Sequence, residues 1–302
     1  MDLTAALRAF TRTVERGSLT AAARDLSLSQ PAVSKHIANL EHRVRARLLE
    51  RSARVVRPTP EGQALYDASR SALASIDAAV EGLQADAGRI EGAIRVHAPS
   101  CIGARHLHPI LMAFQVEHPG VTVDLVLENR TVDLVFENLD MALTYGRPDA
   151  QDVVIRRLGL VRRILVASPA YLAKHGPIGS LDRLSQIPLV TTPRSVTPQN
   201  RLTVLSNGSH ADVDVRSVLR TNDAHVIVRT LLDGHAAGPV QHLLVADELA
   251  SGRLVRLLPD WQVRPTELFM AYPSVRFMRP AVRAFADFAI GRIQAVDGVD
   301  QA

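Results

Sequence analysis

Apolar residues first recur at Leu3, Leu7, Phe10 and Val14, in steps of four, three and four that mark one face of a helix, and Gly17 can end it. Ser18 can cap a second, alanine-rich helix running to about Leu26. Ser27-Leu28-Ser29 then interrupts the helical pattern, and Gln30-Pro31 restarts it at once. Ser29 serves as cap, and Pro31 lies in a first turn where a missing N–H costs little. Val33, Ile37 and Leu40 give the third helix its buried face. Three short helices with a tight second turn predict a helix-turn-helix. The open side and N-terminal end of the third helix carry Gln30, Ser34 and Lys35. Glutamine can read an adenine edge, serine several bases, and lysine guanine or phosphate, so this end suits a major groove.

The run LLERSARVVRPTPEG follows, with Arg51, Arg54 and Arg57 at steps of three around Val55-Val56. It reads as a β-wing whose arginines reach phosphates or a minor groove, or as an exposed hairpin with solubilising charges. Thr59-Pro60-Glu61 then supplies a cap, a first-turn proline and an acid at the positive end of a long helix, which stays helix-friendly to about Ala87 before Gly88. Leu73, Ile76, Val80 and Leu83 form a narrow stripe along it, a seam for the same helix of a second chain or for the body of its own.

From Gly92 the period changes to short strands alternating with helices: Ile94, Val96 and Ala98, then a helix holding Leu107, Ile110, Leu111 and Phe114, then alternation over Val121 to Leu127. The segment 132–138 is expected to be a short helix and MALTYG a third strand, giving a βαβαβ unit with a parallel sheet. A second unit is expected from RRILVAS, PAYLAKHG, LVTT and AHVIVRTLLDG, with a turn at GPV. LFMAY and the helix around AVRAFADFAIGRI close the chain.

Charge sharpens this division. The first sixty residues hold eleven basic and five acidic side chains, while the whole chain of 302 residues carries a net charge of only +4. A basic head on a near-neutral body suggests a polyanion for the head alone, although a merely solvated surface has the same composition. One cysteine, Cys101, leaves no intrachain disulfide framework and fits a reducing compartment. Neither a signal peptide nor a spanning helix is expected, so the expected location is the cytoplasm, without membrane. No Gly-x-Ser-x-Gly elbow, dinucleotide or Walker loop, or Cys-x-x-Cys is present. His97, His106 and His108 lie close in sequence but on a strand end and one helix, so no metal site, catalytic set or cofactor is expected and the chain is not expected to be an enzyme.

Together, the Ala-Ala-x-x-Leu, Ser-Gln-Pro-Ala-Val-Ser and Leu-Glu elements near the N-terminus, with the wing and TPEG after them, resemble the LysR-type transcriptional regulators, and the resemblance continues through the chain. Two positions depart from that family: Arg45 stands where glycine is usual, and Leu49 where phenylalanine is. The resemblance implies an α/β protein: a winged helix-turn-helix (1–59), a linker and dimerisation helix (60–88), and a two-lobed effector domain (89–302) like periplasmic binding proteins. Lobe I is expected at about 89–160 and 265–295, lobe II at about 161–264. It also implies a homodimer or homotetramer that binds promoter DNA, meets RNA polymerase and responds to a small-molecule effector.

The residues expected on DNA are Ser29, Gln30, Pro31, Ser34, Lys35, Arg51 and Arg54. Ligands of such α/β folds sit beyond the carboxyl ends of strands, which selects Ser100, Cys101, Asn129, Arg130, Arg147, Thr192, Asp223 and Pro239. Each also has a plainer use. Ser100 can only cap, Asn129 can only serve a turn, Arg147 can pair with Asp140 or Asp149, and Cys101 can be a small hydrophobe or a thiol activated by a helix end. An effector-independent repressor, an architectural DNA protein and an enzyme fused to a DNA-binding head are the rival readings.

Overall fold

The computed structural model describes residues 2–51, 56–85, 90–134, 137–149, 153–206, 208–273 and 278–301. The chain divides into two compact units at the 89/90 junction.

In the first unit, α1 (Leu3–Arg16), α2 (Leu19–Asp25) and α3 (Gln30–Val44) pack around Phe10, Val33, Ile37 and Leu40. The α1 face is built mainly from Ala6, Ala9, Phe10 and Thr13; Leu7 and Val14 are only partly buried and Leu3 is exposed. Small alanines let the helices approach closely. Asp2, Ser18 and Ser29 cap the three helices with their side chains, and Gly17 ends α1 in the left-handed conformation. The turn that separates α2 from α3 closes on itself: Ser27 is left-handed (φ 55°) and the Leu28 N–H returns to the Ala23 carbonyl at 2.9 Å.

Arg45 ends α3, also left-handed (φ 55°, ψ 34°), a conformation costing a non-glycine residue about 1 kcal/mol. The helix end persists because Glu41 ties it down: its Oε1 accepts the Leu48 and Leu49 N–H groups at 2.8 and 3.3 Å. β1 (Leu49–Arg51) and β2 (Val56–Pro58) pair antiparallel. The long helix α4 (Pro60–Ala85) starts where Thr59 Oγ1 accepts the Gly62 N–H at 3.0 Å, and it anchors Tyr66 in the same core. Arg8 of α1 makes a paired ion contact with Asp77.

The second unit holds β3 (Gly92–Ala98), β4 (Val121–Leu127) and β5 (Met141–Tyr145), all parallel. Between β3 and β4 the chain forms α5 (Ser100–Ile102), one π-helical stretch (Gly103–Leu107) and α6 (His108–Glu117). Between β4 and β5 the described part of 132–138 is turn rather than the expected helix, although Glu137 N–H reaches the Asp133 carbonyl at 2.9 Å. Residues 135 and 136 of this segment lie outside the described residues.

Two long strands bind the rest: β6 (Val153–Ala167) and, much later, an antiparallel partner. After β6 come α7 (Pro169–His175), α8 (Leu181–Gln186), β7 (Pro188–Thr191), the hairpin β8 (Arg201–Ser206) and β9 (Ser209–Asp214), β10 (Arg216–Arg220) and α9 (Ala224–Leu232). β11 (Gly238–Gln241) replaces the turn expected at GPV, followed by α10 (His242–Ala250) and β12 (Val255–Leu257). β13 (Gln262–Pro273) is the long partner of β6, and α11 (Pro280–Gln294) and β14 (Val299–Asp300) finish the chain.

The first half of β6 and the second half of β13 extend the β4-β3-β5 sheet, while the other halves join β11, β12 and β8. Between the halves Gly159 has φ 155°, and a Cβ there would lie 2.6 Å from the Asp300 carbonyl oxygen. The two halves thus belong to different lobes, each with its own apolar core. Among the described residues no helix is long and apolar enough to cross a membrane.

Candidate functional site

The exposed end of α3 is the first candidate surface. Val33, Ile37 and Leu40 are buried, which turns Gln30, Pro31 and Lys35 to solvent and leaves Ser34 half-buried. Ser29, also exposed, spends its hydroxyl on the Ala32 N–H at 3.3 Å, so its role is to start the helix. Arg54 lies outside the described residues, as does Val55, and of Arg51 only its place in β1 is described.

Along α4, Leu73 is buried whereas Ile76 and Val80 are 49% and 53% exposed; nothing is described of the Leu83 side chain. Part of the expected seam is therefore covered, and part is open.

In the second unit the strand ends surround a cavity of about 540 Å³. Cys101, Asn129, Arg130, Arg147, Thr192 and Pro239 line it, as the strand-end rule selected. Ser100 and Asp223 do not. The Ser100 N–H is taken by Asn129 Oδ1 at 3.0 Å, and the Asp223 carboxylate caps α9, accepting the His225 and Val226 N–H groups at 2.8 and 3.0 Å. Both are scaffolding beside the cavity.

Asn129 spans the opening, since its Nδ2 also donates to the Asn222 carbonyl at 3.0 Å. Arg130 is held by Glu128 and Glu137 at 2.5 and 2.7 Å; these bonds, that to Glu137 foremost, push its pKa up and the Glu137 carboxyl down. Arg147 is exposed. Thr192 closes a turn in which its N–H meets Ser195 Oγ at 2.9 Å.

Cys101 belongs to a polar cluster that the sequence pattern did not single out. Tyr145 Oη donates to Gln241 Oε1 at 2.9 Å, and the Cys101 Sγ lies 3.1 Å from the phenol and 3.3 Å from the same amide oxygen. Burial pushes the thiol pKa up, outweighing the hydrogen bonds that favour the thiolate. Of the two readings of Cys101, the small buried side chain fits better than a thiol activated by a helix end, because desolvation of the sulfur outweighs the N–H groups of the helix start. Burial likewise raises Tyr145 far above an ordinary phenol.

Arg163, unmarked in the sequence, and His97, weighed there only as a metal ligand, also line the cavity. Their signal was position: each stands on the buried side of its strand, whereas the other strand arginines, Arg95, Arg156, Arg157 and Arg162, are at least partly exposed. His97 is 1% exposed and neither ring nitrogen has a hydrogen-bond partner. Burial lowers its pKa, as does Arg130, while Glu128 and Glu137 oppose. The folded state thus holds the ring neutral where the unfolded chain, titrating near about 6.5, takes up a proton. Its stability contribution is complete above that pH and is lost as pH falls below it; His106, lowered by burial too, acts in the same direction. His97→Phe is expected to raise stability at pH 8 by about 1–3 kcal/mol, by removing unpaired buried nitrogens, and to flatten the acid limb. Urea denaturation at pH 8 and at pH 5 checks this, and equal losses for both proteins on acidification would refute it.

Among the described residues no group of three or more His, Cys, Asp or Glu side chains is placed to hold a metal ion. His106 instead contacts the Leu243 carbonyl at 2.9 Å.

A helix-turn-helix with an open third-helix end, followed by a two-lobed α/β unit with a cavity, is an arrangement that known proteins share. Residues 4–63 match the bacterial regulatory helix-turn-helix protein family, lysR type, and residues 87–294 match the LysR substrate binding domain. The chain belongs to the LysR family. It is 31% identical over 281 residues to the HTH-type transcriptional regulator PtxR of Pseudomonas aeruginosa, covering 93% of this chain and 90% of that one. The full-length structure of the Vibrio cholerae virulence activator AphB, described as a member of the LTTR family, is 26% identical with a TM-score of 0.61. That match covers 95% of this chain and 98% of AphB. ArgP of Mycobacterium tuberculosis, 20% identical, shares the fold over 98% of both chains with a TM-score of 0.70. This LysR-family chain is a DNA-binding transcriptional regulator, not an enzyme, with an effector-binding domain.

Proposed function

We propose that residues 1–59 read a promoter operator, that residues 60–88 pair two chains, and that residues 89–302 place a small effector in the cavity between lobes I and II. The exposed end of α3 carries the first part: Gln30, Ser34 and Lys35 face base edges, Ser29 and Pro31 set the helix start against the backbone, and Arg51 and Arg54 meet phosphates. The exposed Ile76 and Val80 support a homodimer or homotetramer, which fixes the spacing of successive recognition helices on an interrupted palindrome. The regulator works in the cytoplasm and meets RNA polymerase at the promoter.

The single observation that carries the switching role is the cavity lined from both lobes, by Tyr145 of β5 on one side and by Arg163 of β6 and Gln241 of β11 on the other. A molecule filling it favours one lobe arrangement over another and so shifts their populations. Asn129, Arg130, Arg147, Thr192, Cys101 and Pro239 contact that molecule, while Ser100 and Asp223 support its walls.

Base reading is tested by substitution. Gln30→Ala is expected to cost about 1–3 kcal/mol at the cognate operator and to blur base preference. Arg54→Ala is expected to weaken binding to all sequences alike and to reduce the salt slope by about one. Competition of operator DNA against random duplex over a salt series separates the two; an unchanged base preference in Gln30→Ala would remove Gln30 from the reading set.

A further inference from the structure

We infer that the molecule taken up by the cavity is a small organic acid whose carboxylate is received by Arg163. The inference rests on the effector-cavity reading above and names the ligand's chemistry.

Arg163 lies on β6 just past the crossing at Gly159 and is only 6% exposed. Its Nη1 donates to the Arg194 and Arg264 carbonyls at 3.4 and 3.2 Å, and its Nη2 to Thr266 Oγ1 at 3.0 Å. All three acceptors are neutral, and no carboxylate pairs with this guanidinium among the described residues. Five N–H donors are available and three are engaged, so part of the fork is left for another acceptor. Burial pushes the Arg163 pKa down, and the nearby Arg194 adds to this. A desolvated cation without a counter-ion is unfavourable unless something supplies one.

The cavity around it is short of negative charge. Arg194 and Arg147 line it as well, and Arg194 Nη1 is bound only to the Tyr145 carbonyl at 3.1 Å. Of the two lining acids, Glu128 is bound to Arg130. Asp149 is the other. An anion therefore completes the site. The walls give its remaining character: Leu143, Val132, Ile227, Val240 and Leu244 offer an apolar bed for a carbon skeleton. One buried guanidinium balances one charge, which favours a carboxylate over a phosphate dianion. His97, buried in the same lining with both nitrogens unpaired, is a second polar point that such an acid can satisfy.

The test uses the purified full-length chain at constant ionic strength, with butyrate and benzoate as probes against butyramide and benzamide, read by calorimetric titration and thermal denaturation. The acids are expected to bind and to raise the melting temperature, and the amides to bind at least about tenfold more weakly. Arg163→Gln, which keeps an amide donor but no charge, is expected to erase the preference. Ala224→Trp, which fills the cavity from the start of α9, is expected to block every probe. Equal binding of acids and amides that Ala224→Trp abolishes would keep the effector cavity and overturn the carboxylate assignment. Acid binding that survives Arg163→Gln or Ala224→Trp would also overturn it, and so would no binding of either acid, an outcome that leaves the effector-cavity reading in place. The comparison of acids with amides in the unmodified chain stands even if Arg163→Gln fails to fold.

Discussion

Gly62→Ala is expected to unfold the N-terminal unit and abolish operator binding. The Gly62 backbone lies against Leu48, just before β1, and a Cβ built there would sit 2.0 Å from the Leu48 carbonyl oxygen and 2.9 Å from its carbon. Neither atom can swing away, because that carbonyl accepts the Thr59 N–H at 3.0 Å while the Leu48 N–H is held by Glu41 at 2.8 Å. The methyl group therefore has to push the start of α4 off the wing. That strains the Thr59 cap and lifts Tyr66, which is only 1% exposed, from a core shared with Phe10, Ile37 and Leu40. Overpacking of this kind costs at least about 3 kcal/mol when the opposing atoms are backbone. Limited proteolysis should cut the head rapidly while the C-terminal unit keeps its own unfolding transition. Unchanged DNA affinity would show that the clash is relieved by a small helix shift and that the close approach is not required.

The head was legible because its signals are local. Ser18, Ser29, Gly17 and Thr59 each act within a turn of where they stand, and the structure uses each as a cap or terminator. Its departure from family habit at Arg45 was legible as well. The backbone keeps the left-handed form despite the side chain, because Glu41 bonds the next strand to the helix from the turn before it. In β3, β4 and β5 the apolar alternation likewise predicted parallel strands, and they pair that way.

What the pattern did not reveal depends on contacts distant in sequence. The β8–β9 hairpin was overlooked although Asn207-Gly208 is a strong two-residue turn signal, and Gly208 does take φ 80°. Its strands are polar on one side and carry little hydrophobic periodicity. His97 was weighed only as a metal ligand, and Arg163 was passed over because it stands beside Arg162 in a strand that also carries Arg156 and Arg157. The place of each emerges only when strands far apart in sequence enclose the same cavity. Asp223 stands after a strand as the rule for ligand sites requires, but the structure uses its Oδ1 on the N–H groups of its own helix, a cap that the sequence pattern could equally have suggested.

Gly238→Ala is the counterpart test in the effector unit. Gly-Pro-Val reads as a turn, because glycine and proline interrupt most strands. Here the segment is β11, antiparallel to β6 through Gly238↔Val166 and Pro239↔Leu165. Its other side approaches β7, where the Val190 N–H donates to the Ala237 carbonyl at 2.8 Å. A Cβ on Gly238 would lie 2.3 Å from the Val190 carbonyl oxygen and 3.0 Å from Val190 Cγ1, so glycine is present for close backbone approach. An added methyl has to drive β7 and β11 apart. The cost is again at least about 3 kcal/mol, and it falls where Thr192, just after β7, and Pro239 and Gln241, on β11, shape one wall of the cavity. The expected result is a lower melting temperature for the effector unit and loss of carboxylate binding. Thermal denaturation with and without benzoate measures both effects. A variant that melts like the unmodified chain would mean that β11 can slide along β6 without opening the cavity, and Gly238 would then be a tolerance of the fold rather than a requirement of it.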